Sequence, residues 1–319
     1  MKTLVTGGTG FVASNIVRTL AERGEEVVSF DLNPPGDLLR AYIKPWAERV
    51  TFIQGDLLNQ DELDRVLEHD IKRIVHAAVF TGLLPDIEAG KSKDIIAVNV
   101  MGTTNVLELA RKLSVQRFLY VSSVAVYGDY QPDKMLTEEY TPLPRTLYAV
   151  TKYASELLTR RYGELHGFPT VRVRLGSPYG PMERVTSHRA NQSLLKEWTG
   201  NIIRGEPIAV GDRAMKRVLS YVLDIAGGIC AVLTAPSLSY DVYNISAGKQ
   251  TSLEEIIAVL RDLHPALQIM DKPMTGYAQI SNILDTQRLK SDVGFCPRYD
   301  LRSGLKEYMA WRRANNFTE

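Results

Sequence analysis

Cysteine and histidine are scarce in this chain of 319 residues, and their positions argue against the common metal sites. Cys230 and Cys296 are the only cysteines, far apart and without the spacing of a metal-binding pair. The five histidines, at positions 69, 76, 166, 188 and 264, form no ligand cluster in the sequence. We therefore expect no metal site. Two isolated thiols also favour a reducing compartment, the cytoplasm.

The chain also lacks an excess of either charge and a long apolar run. Lys and Arg number 38 and Asp and Glu number 37, so a net charge of +1 gives no electrostatic reason to expect a nucleic-acid partner. The longest apolar run, from Val218 to Ala231, is interrupted by Asp224 and is too short to cross a bilayer. The N-terminus leads directly into Thr6-Gly7-Gly8 without a basic leader, which indicates a strand entering a turn rather than a signal peptide.

Short Val- and Ile-rich runs alternate with longer helical patterns through the first half of the chain. This alternation predicts an α/β fold, a doubly wound parallel sheet with helices on both faces. Ligands of such sheets bind outside the carboxyl ends of the strands. The predicted strands are residues 2–6, 26–31, 50–55, 73–77, 117–122 and 170–175, and the predicted helices are residues 11–23, 61–68, 99–113 and 148–165.

Glycine and proline punctuate the chain after Gly176, which predicts a smaller substrate lobe that closes over the sheet. Residues 217–233 and 240–245 are interpreted as a helix and a strand that return to the sheet. Further helices are expected near residues 252–263 and 301–314. The predicted division is a dinucleotide-binding domain of residues 1–175 and 217–245, and a substrate lobe of residues 176–216 and 246–319.

A glycine-rich turn joins the first strand to the first helix. Gly7 permits the tight turn, and Gly10 lets the backbone approach a pyrophosphate. The helix start at Phe11 and Val12 offers N–H groups and the positive end of a helix dipole to the phosphates. Asp31 ends the second strand, where its carboxylate can bond both ribose hydroxyls and would repel a 2′-phosphate. This arrangement predicts NAD rather than NADP. The alternative interpretation of Asp31 is a solvated acid at a strand end.

The ends of the next two strands extend the predicted dinucleotide groove. Asp56 and Leu57 follow the third strand and are expected to face the adenine. Ala77 and Ala78 follow the fourth strand, where small side chains leave room for the cofactor. His76, just before them, is interpreted as a buried strand histidine with satisfied hydrogen bonds rather than as a catalytic group.

The reacting groups are predicted at a serine-tipped strand and on a helix. Ser122 and Ser123 end the fifth strand, while Tyr148 and Lys152 are four residues apart and share one helical face. A Tyr hydroxyl has a pKa of about 10, so it needs a stabilised phenolate to act as a base at neutral pH, and a Lys ammonium one turn away provides this. The Ser hydroxyl would hold the substrate oxygen while hydride passes to or from the cofactor. Tyr–Lys pairs at this spacing also arise by chance, so the prediction depends on the helical context.

A set of short motifs follows in order along the chain: Thr6 to Ala13, Asp31, Asp56-Leu57, His76-Ala77-Ala78, Asn99-Val100-Met101-Gly102-Thr103, Ser122 to Gly128, Tyr148-Ala149-Val150-Thr151-Lys152 and Tyr179-Gly180-Pro181. The set resembles the extended short-chain dehydrogenase/reductase superfamily, in its NAD-dependent epimerase/dehydratase branch, and in particular the nucleotide-sugar 4-epimerases. The resemblance implies a Rossmann fold, NAD as cofactor, and a homodimer formed by helices 99–113 and 148–165. It implies Ser123 as the substrate-holding hydroxyl, Tyr148 as the base, Lys152 on the nicotinamide ribose and Asn99 as a supporting residue.

Several positions depart from the family pattern, and they bear on the substrate. The 4,6-dehydratases of the family carry an acid pair directly after the catalytic hydroxyl, whereas Val124-Ala125 follow Ser123, which argues against dehydration. Members that act on sugar nucleotides usually have Asn at the position of Ser177, and an Arg where Ser-Asn-Ile-Leu occupies residues 281–284. The pattern therefore gives mixed support for a nucleotide-sugar substrate.

The predicted substrate contacts are Ser122, Ser177, Arg184 and Arg217. Arg217 matches a phosphate-binding arginine of the family. Arg184 lies in the loop after Tyr179-Gly180-Pro181, where His188 and Arg189 could add to the same anion site. A planar guanidinium can bond two phosphate or carboxylate oxygens at once. The alternative interpretation of Arg217 is a surface ion pair or a solvated charge at the start of a helix.

Three functions remain open at this point. The leading hypothesis is an NAD-dependent epimerase of a sugar nucleotide, similar to UDP-glucose 4-epimerase, which transfers hydride transiently at a ring hydroxyl. The alternative is a net NAD-dependent dehydrogenase of a free sugar, a sugar acid or another small hydroxy compound. A third hypothesis, a cofactor-sensing or scaffolding protein without catalysis, is disfavoured by intact Ser123, Tyr148 and Lys152. The first two share every catalytic residue, so accumulation of NADH in solution is what separates them.

Overall fold

The computed structural model describes residues 1–130, 134–190, 192–271 and 282–318. Within the segment 281–284 noted above, Ser281 lies outside the described residues. No helix in the described ranges is both long and apolar enough to cross a membrane. The same ranges hold no group of three or more His, Cys, Asp or Glu arranged to bind a metal ion.

Fifteen strands run through the described residues: β1 (Lys2–Thr6), β2 (Glu26–Asp31), β3 (Val50–Gln54), β4 (Ile71–His76), β5 (Arg117–Ser123), β6 (Met135–Leu136), β7 (Thr170–Leu175), β8 (Ser177–Tyr179), β9 (Ile208–Val210), β10 (Lys216–Arg217), β11 (Leu219–Tyr221), β12 (Val242–Ile245), β13 (Thr251–Ser252), β14 (Ile269–Asp271) and β15 (Ile283–Leu284). Seven of them form one sheet in the order β12-β7-β5-β4-β1-β2-β3, and every neighbouring pair is parallel. The other eight form the two-stranded ladders β10-β13, β11-β8, β14-β9 and β15-β6.

Twelve α-helices are present in the same ranges: α1 (Phe11–Glu22), α2 (Asp37–Ile43), α3 (Gln60–Asp64), α4 (Pro85–Gly90), α5 (Ser92–Ile96), α6 (Gly102–Leu113), α7 (Leu147–His166), α8 (Leu194–Arg204), α9 (Val222–Thr234), α10 (Leu253–Leu263), α11 (Gln287–Val293) and α12 (Leu301–Ala314). A π-turn at Ala97–Met101 joins α5 to α6, and 3-10 turns occupy Lys44–Arg49, Arg65–Glu68 and Val124–Tyr127.

Helices cover both faces of the central sheet, which confirms the predicted doubly wound parallel fold. Side chains of α1 and α9 pack with the sheet in one apolar cluster, and those of α6 pack with the sheet in another. The inner strands are buried on both faces, which explains their continuous Val, Ile and Leu runs. The chain passes outward from β1 to β3 and then returns to the other side of β1 as β4, so a crevice forms between β1 and β4 at their carboxyl ends.

A second apolar core lies outside the sheet. Its buried members come from β8, β9, β11 and helices α8, α10 and α12, and include Trp198, Ile256 and Tyr308. Helix α10 begins with a capping box, in which the Ser252 side chain and Glu255 bond each other's backbone N–H groups. The lobe is thus built from segments on either side of α9 and β12, which themselves pack on α1 and pair with β7.

The helix predicted over residues 217–233 is wrong at its start. Arg217 lies in β10, residues 219–221 form β11, and the helix begins at Val222. Strand β11 pairs in parallel with β8, a contact between segments distant in sequence that a continuous apolar run does not reveal. Helices α2 and α8 also lie where no element was predicted.

Candidate active site

A cavity of about 650 Å³ opens at the carboxyl ends of β1 to β4. The glycine-rich turn forms its floor. Gly7 has a φ of +69°, and its N–H donates to the backbone oxygen of Phe30 at 2.8 Å. A Cβ added at Gly7 would lie 2.7 Å from Cα of Ala78, so only glycine lets the turn pass this close to the end of β4. Ala77 lines the same cavity.

Helix α1 points its N-terminus into this cavity. Its N-cap is Gly10, which provides no side-chain cap, and the first turn holds no acidic residue. Phe11 and Val12 line the cavity, and the first N–H groups of a helix have no partner within it. An anion therefore meets backbone donors and the positive end of the helix dipole at this position.

The acidic residue at the end of β2 is held by the turn that it faces. Asp31 accepts hydrogen bonds from the backbone N–H of Thr9 at 3.0 Å and of Asn33 at 2.9 Å. Its carboxylate is thereby fixed at the rim of the cavity, which it lines together with Asp56 and Leu57. The position agrees with a contact to the ribose of a bound dinucleotide.

The segment 182–190, here called the strap, runs along the opposite rim and contacts both walls of the cavity. Arg184 donates from Nη2 to the backbone oxygen of Thr9 at 2.6 Å on the glycine-rich side. On the β4 side, the Thr81 N–H donates to the backbone oxygen of His188 at 2.7 Å, and the His188 ring packs edge-on against Phe80 with centroids 4.9 Å apart. The strap thus joins two walls that the sheet alone leaves separate.

The strap begins in a strained backbone conformation. Met182 is fully buried and has a φ of +71°, which is uncommon for a residue with a side chain. Just before it, the backbone oxygen of Pro181 accepts a hydrogen bond from the Asn15 side chain of α1 at 3.0 Å. Strain of this kind persists only where the surroundings hold it, and it concentrates at functional sites.

Tyr148 and Ser123 meet at the carboxyl end of β5. The two side chains are close enough for the Ser123 hydroxyl to influence the Tyr148 phenol, and Ser123 Oγ accepts a hydrogen bond from the N–H of Ala125 at 3.2 Å. Burial raises the pKa of Tyr148, while the Ser123 hydroxyl and the positive charge of Arg189 act in the opposite direction. The strap residue Arg189 is therefore a cationic neighbour of Tyr148 that the sequence did not assign to it.

Lys152 lies one helical turn beyond Tyr148 and is almost fully buried. Its ammonium donates to the backbone oxygen of Val121 at 2.7 Å and lies 4.8 Å from the ring centroid of Tyr120. Burial lowers the pKa of Lys152 to about 7, and the carboxylate of Glu156 opposes that shift. The sequence spacing predicts the pairing with Tyr148, and the same four-residue period leads on to Glu156, which sequence reasoning missed.

Asn99 lies in the π-turn between α5 and α6 and supports the loop after β4. Its side chain bonds both the N–H and the backbone oxygen of Phe80, at 2.7 and 3.1 Å, and donates to Thr151 at 3.0 Å. The residue therefore links the loop facing the cavity to the helix that carries Tyr148 and Lys152. Single π-turns of this kind are frequent at functional sites.

His76 is a buried structural histidine in this geometry. Its two ring nitrogens lie 2.7 Å from Thr6 Oγ1 and 2.9 Å from Thr103 Oγ1. Burial, together with the charge of Lys152, lowers the pKa of His76 to about 3, so the ring is neutral at physiological pH. This geometry agrees with the structural interpretation made from the sequence.

The residues predicted to contact substrate lie in three places. Arg184 lines the dinucleotide cavity, and its contact with substrate stays a prediction. Ser122 is buried beside Ser123, and its hydroxyl has no hydrogen-bond partner among the described residues. Ser177 is exposed on β8, opposite Leu219 of β11, and Arg217 lies two residues before that pair. Burial lowers the pKa of the half-buried Arg217.

The residues present fit NAD. The Gly7 cradle, the uncapped start of α1 and the fixed carboxylate of Asp31 supply a backbone approach, phosphate donors and ribose acceptors in one cavity. Tyr148 and Lys152 lie beyond the Ala77-Ala78 end of β4, next to Val121 and Ser123 of β5.

Known proteins with the same architecture span the whole chain. A protein of Methanocaldococcus jannaschii, provisionally named a UDP-glucose 4-epimerase, is 29% identical over 321 residues that cover 99% of both chains. A dTDP-glucose 4,6-dehydratase of Streptomyces niveus is 30% identical over 337 residues, 99% of this chain and 94% of the relative. The crystal structure of a UDP-glucose 4-epimerase from Thermotoga maritima, with UDP-glucose, superimposes with a TM-score of 0.86 at 23% identity, covering 99% of this chain and 100% of that one.

The sequence model of the NAD dependent epimerase/dehydratase family matches residues 3–246, which include the glycine-rich turn, Ser123, Tyr148 and Lys152. The family, the parallel sheet and the dinucleotide cavity agree with one another, and NAD is the cofactor. The chain belongs to the NAD dependent epimerase/dehydratase family and is an NAD-dependent enzyme of the extended short-chain dehydrogenase/reductase type.

Proposed function

We propose that this protein is an NAD-dependent epimerase of a sugar nucleotide, similar to UDP-glucose 4-epimerase, with Ser123, Tyr148 and Lys152 as its catalytic residues. The observation that carries the proposal is the proximity of Ser123 and Tyr148, whose cationic neighbour Arg189 lines the NAD cavity. The names of relatives that match nearly the full chain support a nucleotide sugar as the substrate class.

The proposed chemistry divides between the cofactor and the chain. NAD, when bound, supplies an acceptor and then a donor for one hydride. Ser123 bonds the oxygen of the reacting ring hydroxyl, and Tyr148 removes its proton as the carbon loses hydride and becomes a ketone. Tyr148 returns the proton when hydride comes back to the other face of the ring, so the epimer forms with no net oxidation. A positioned acid–base group contributes about 10²–10⁴-fold to such a step.

Hydride can return only if the reduced cofactor stays bound, and the strap favours this outcome. Arg184 bonds the glycine-rich turn and His188 bonds the loop after β4, so the strap links both sides of the cavity, and we expect it to slow the release of a dinucleotide bound there. A net dehydrogenase has to release NADH in every turnover. The contacts of the strap therefore favour the epimerase over the net dehydrogenase of a free sugar or sugar acid.

A dehydratase relative is as similar in sequence as the epimerase relative, so dehydration needs separate consideration. Elimination of water from a sugar ketone requires an acid and a base near the leaving hydroxyl. The two residues after Ser123 are Val124 and Ala125, in the 3-10 turn that follows β5, and neither can transfer a proton. This chemistry favours epimerisation.

The test is product analysis with the NAD-loaded enzyme and a panel of UDP- and dTDP-sugars. We expect a 4-epimer to form while the absorbance of NADH in solution stays flat. Stoichiometric accumulation of NADH would show a net dehydrogenase, and a 4-keto-6-deoxy product would show a dehydratase. An enzyme that binds NAD but converts no sugar nucleotide would contradict the proposed substrate class, and free sugars and sugar acids would then be assayed.

We further propose that the enzyme is a homodimer joined through α7 and the helices beside it. Large apolar side chains are exposed there, including Met101, Val150, Leu157 and Leu165, each at least 45% exposed. Val150, Leu157 and Leu165 lie on α7, and Met101 lies in the π-turn that packs against α7, so the exposed apolar side chains belong to neighbouring elements. Sedimentation velocity of the parent should show a dimer, and Leu157→Glu should shift it toward the monomer. A monomeric parent would contradict the proposal.

A further inference from the structure

The helix that carries the two predicted catalytic residues has a third buried polar residue in the same row. Tyr148, Lys152 and Glu156 follow one another at intervals of four residues on α7, so they lie along one helical face. Each is less than 10% exposed, and Glu156 is only 2% exposed. A carboxylate buried this deeply requires a partner, because the desolvation of an unpaired charge is costly.

The partner is Arg174 on β7. Arg174 Nε lies 3.0 and 3.3 Å from the two carboxylate oxygens of Glu156, and Nη2 lies 2.8 Å from Oε2. Arg174 is 5% exposed, so both charges are inside the protein. A planar guanidinium in this bidentate arrangement fixes the orientation of the carboxylate as well as its distance.

Arg174 also reaches the strand that carries the serine. In the pairing of β5 with β7, Arg174 lies directly opposite Ser122, and Leu175 lies opposite Ser123. The guanidinium carbon lies 4.7 Å from the ring centroid of Tyr127, which ends the 3-10 turn after Ser123. The ion pair therefore connects α7, which carries Tyr148 and Lys152, with residues that precede and follow Ser123 in the chain.

Lys152 is bonded to the same strand. Its ammonium donates to the backbone oxygen of Val121, one residue before Ser122. The groups that interact with it are Glu156 from α7, Tyr120 from β5 and His76 from β4. Among these groups, Glu156 carries the negative charge that favours the ammonium, while His76 is neutral.

We propose that Glu156 and Arg174 are positioning residues for the reaction: their buried ion pair holds α7 in register with the end of β5, and so places Lys152 and Tyr148 relative to Ser123. The inference rests on the proposed roles of those three residues. The competing explanation is that the pair serves stability alone. Buried ion pairs are often replaceable by apolar residues without loss of stability, which makes the two explanations separable.

The test compares Glu156→Gln, the double variant Glu156→Gln/Arg174→Met, and Arg174→Lys with the parent. Glu156→Gln leaves Arg174 charged and uncompensated, so reduced folding is expected for it. The double variant removes both charges and should restore the thermal midpoint toward that of the parent. Arg174→Lys keeps the charge but loses the bidentate geometry. Glu164→Gln is the matched control, because Glu164 lies on the same helix in an exposed i,i+4 pair with Arg160.

Two quantities are measured for each variant at a temperature well below its thermal midpoint, and both are normalised to the concentration of folded protein. The first is NAD affinity by calorimetry, which needs no sugar substrate and reports the position of Lys152. We expect it to fall about two- to ten-fold in the double variant, as for loss of a hydrogen bond. The second is kcat, which we expect to fall about ten- to a hundred-fold with KM little changed, because misplaced groups slow chemistry more than binding. Arg174→Lys should lie between the double variant and the parent.

A double variant that folds and keeps both NAD affinity and kcat within about two-fold of the parent would overturn the inference. If only the conservative variant folds, parent-like values in Arg174→Lys would overturn it in the same way. A decrease in NAD affinity and kcat in the double variant that is no larger than the decrease in Glu164→Gln would also overturn the inference. If the parent converts no sugar nucleotide, the proposed function fails, while a selective loss of NAD affinity in the Glu156 and Arg174 variants still supports the positioning role.

Discussion

The two walls around the reacting groups are built in different ways. On one side, α7 presents Tyr148 and Lys152 from inside the protein, held by the hydrogen bond of Lys152 to Val121 of β5 and by the ion pair of Glu156 with Arg174. On the other side, the strap is a loop without a helix or a long strand. Arg184 and His188 bond it to backbone atoms of the glycine-rich turn and of the loop after β4. We propose that helix α7 positions the groups for proton transfer and that the strap slows exchange of the cofactor.

The difference follows from where each wall finds its partners. Residues of α7 bury their polar groups against the sheet, so a change there leaves a buried group unpaired. Arg184 of the strap is partly exposed, so water can replace its contact with Thr9 when that contact is lost. Substitutions in the buried wall should therefore have large effects on kcat, and substitutions in the strap should have smaller effects on cofactor exchange.

The largest expected effect lies at the centre of the buried wall. Tyr148→Phe keeps the ring and its packing but removes the hydroxyl beside Ser123, so turnover should fall about 10²–10⁴-fold while NAD still binds. Steady-state kinetics and calorimetry with NAD measure the two quantities. If more than about a tenth of the activity remained, Tyr148 would not be the base, and the contrast between the walls would lose its main support.

Arg217 lies in neither α7 nor the strap. Its substitution therefore tests whether substrate binding is independent of both. If it grips an anionic part of the substrate, Arg217→Ala should raise KM about ten- to a hundred-fold, as for loss of a charge-assisted hydrogen bond of about 1.5–3 kcal/mol. Cofactor affinity and kcat should barely change. An unchanged KM on an active substrate would place Arg217 outside the site and favour a neutral sugar.

The sequence was most informative where function depends on local pattern. The glycine-rich turn, Asp31 at the end of β2, and the Tyr148–Lys152 spacing each lie within one short segment, and the structure places all of them around one cavity and its neighbouring strand end. The positions of strands and helices in the first half of the chain could also be predicted, because buried parallel strands need continuous apolar runs.

Contacts between distant segments could not be read in this way. The sequence predicts a helix where β11 lies, because a strand at that position depends on its pairing with β8. The strap bonds backbone oxygens and N–H groups, which carry no side-chain signal in the sequence. Glu156 continued a visible four-residue period, but its partner Arg174 lies on another strand, and only the fold shows that the two meet.

Asp31 lies on the rim of the cavity opposite the strap, where we expect it to determine the preference between NAD and NADP. Its carboxylate is fixed by two backbone N–H groups, so a 2′-phosphate should meet a negative charge there. We expect the parent to prefer NAD over NADP by about ten-fold or more, which corresponds to about 1.4 kcal/mol, and Asp31→Asn should narrow the preference. Titration of each cofactor into the apo protein measures it. Equal or tighter binding of NADP by the parent would show that Asp31 has another role.

The smallest expected effect is in the strap, and it bears directly on the comparison. Arg184→Ala removes the bond to Thr9 and should speed the exchange of bound NAD about two- to ten-fold, as for a net hydrogen bond of about 0.5–1.5 kcal/mol. The rate of exchange with isotopically labelled NAD measures this, and Arg160→Ala on the exposed face of α7 is the control. Because faster loss of the cofactor interrupts the return of hydride, the variant should also release some NADH and ketone during turnover. Exchange as slow as in the parent would show that the Arg184 contact does not retain the cofactor. The proposal of an epimerase would then rest only on the residues of α7 and β5.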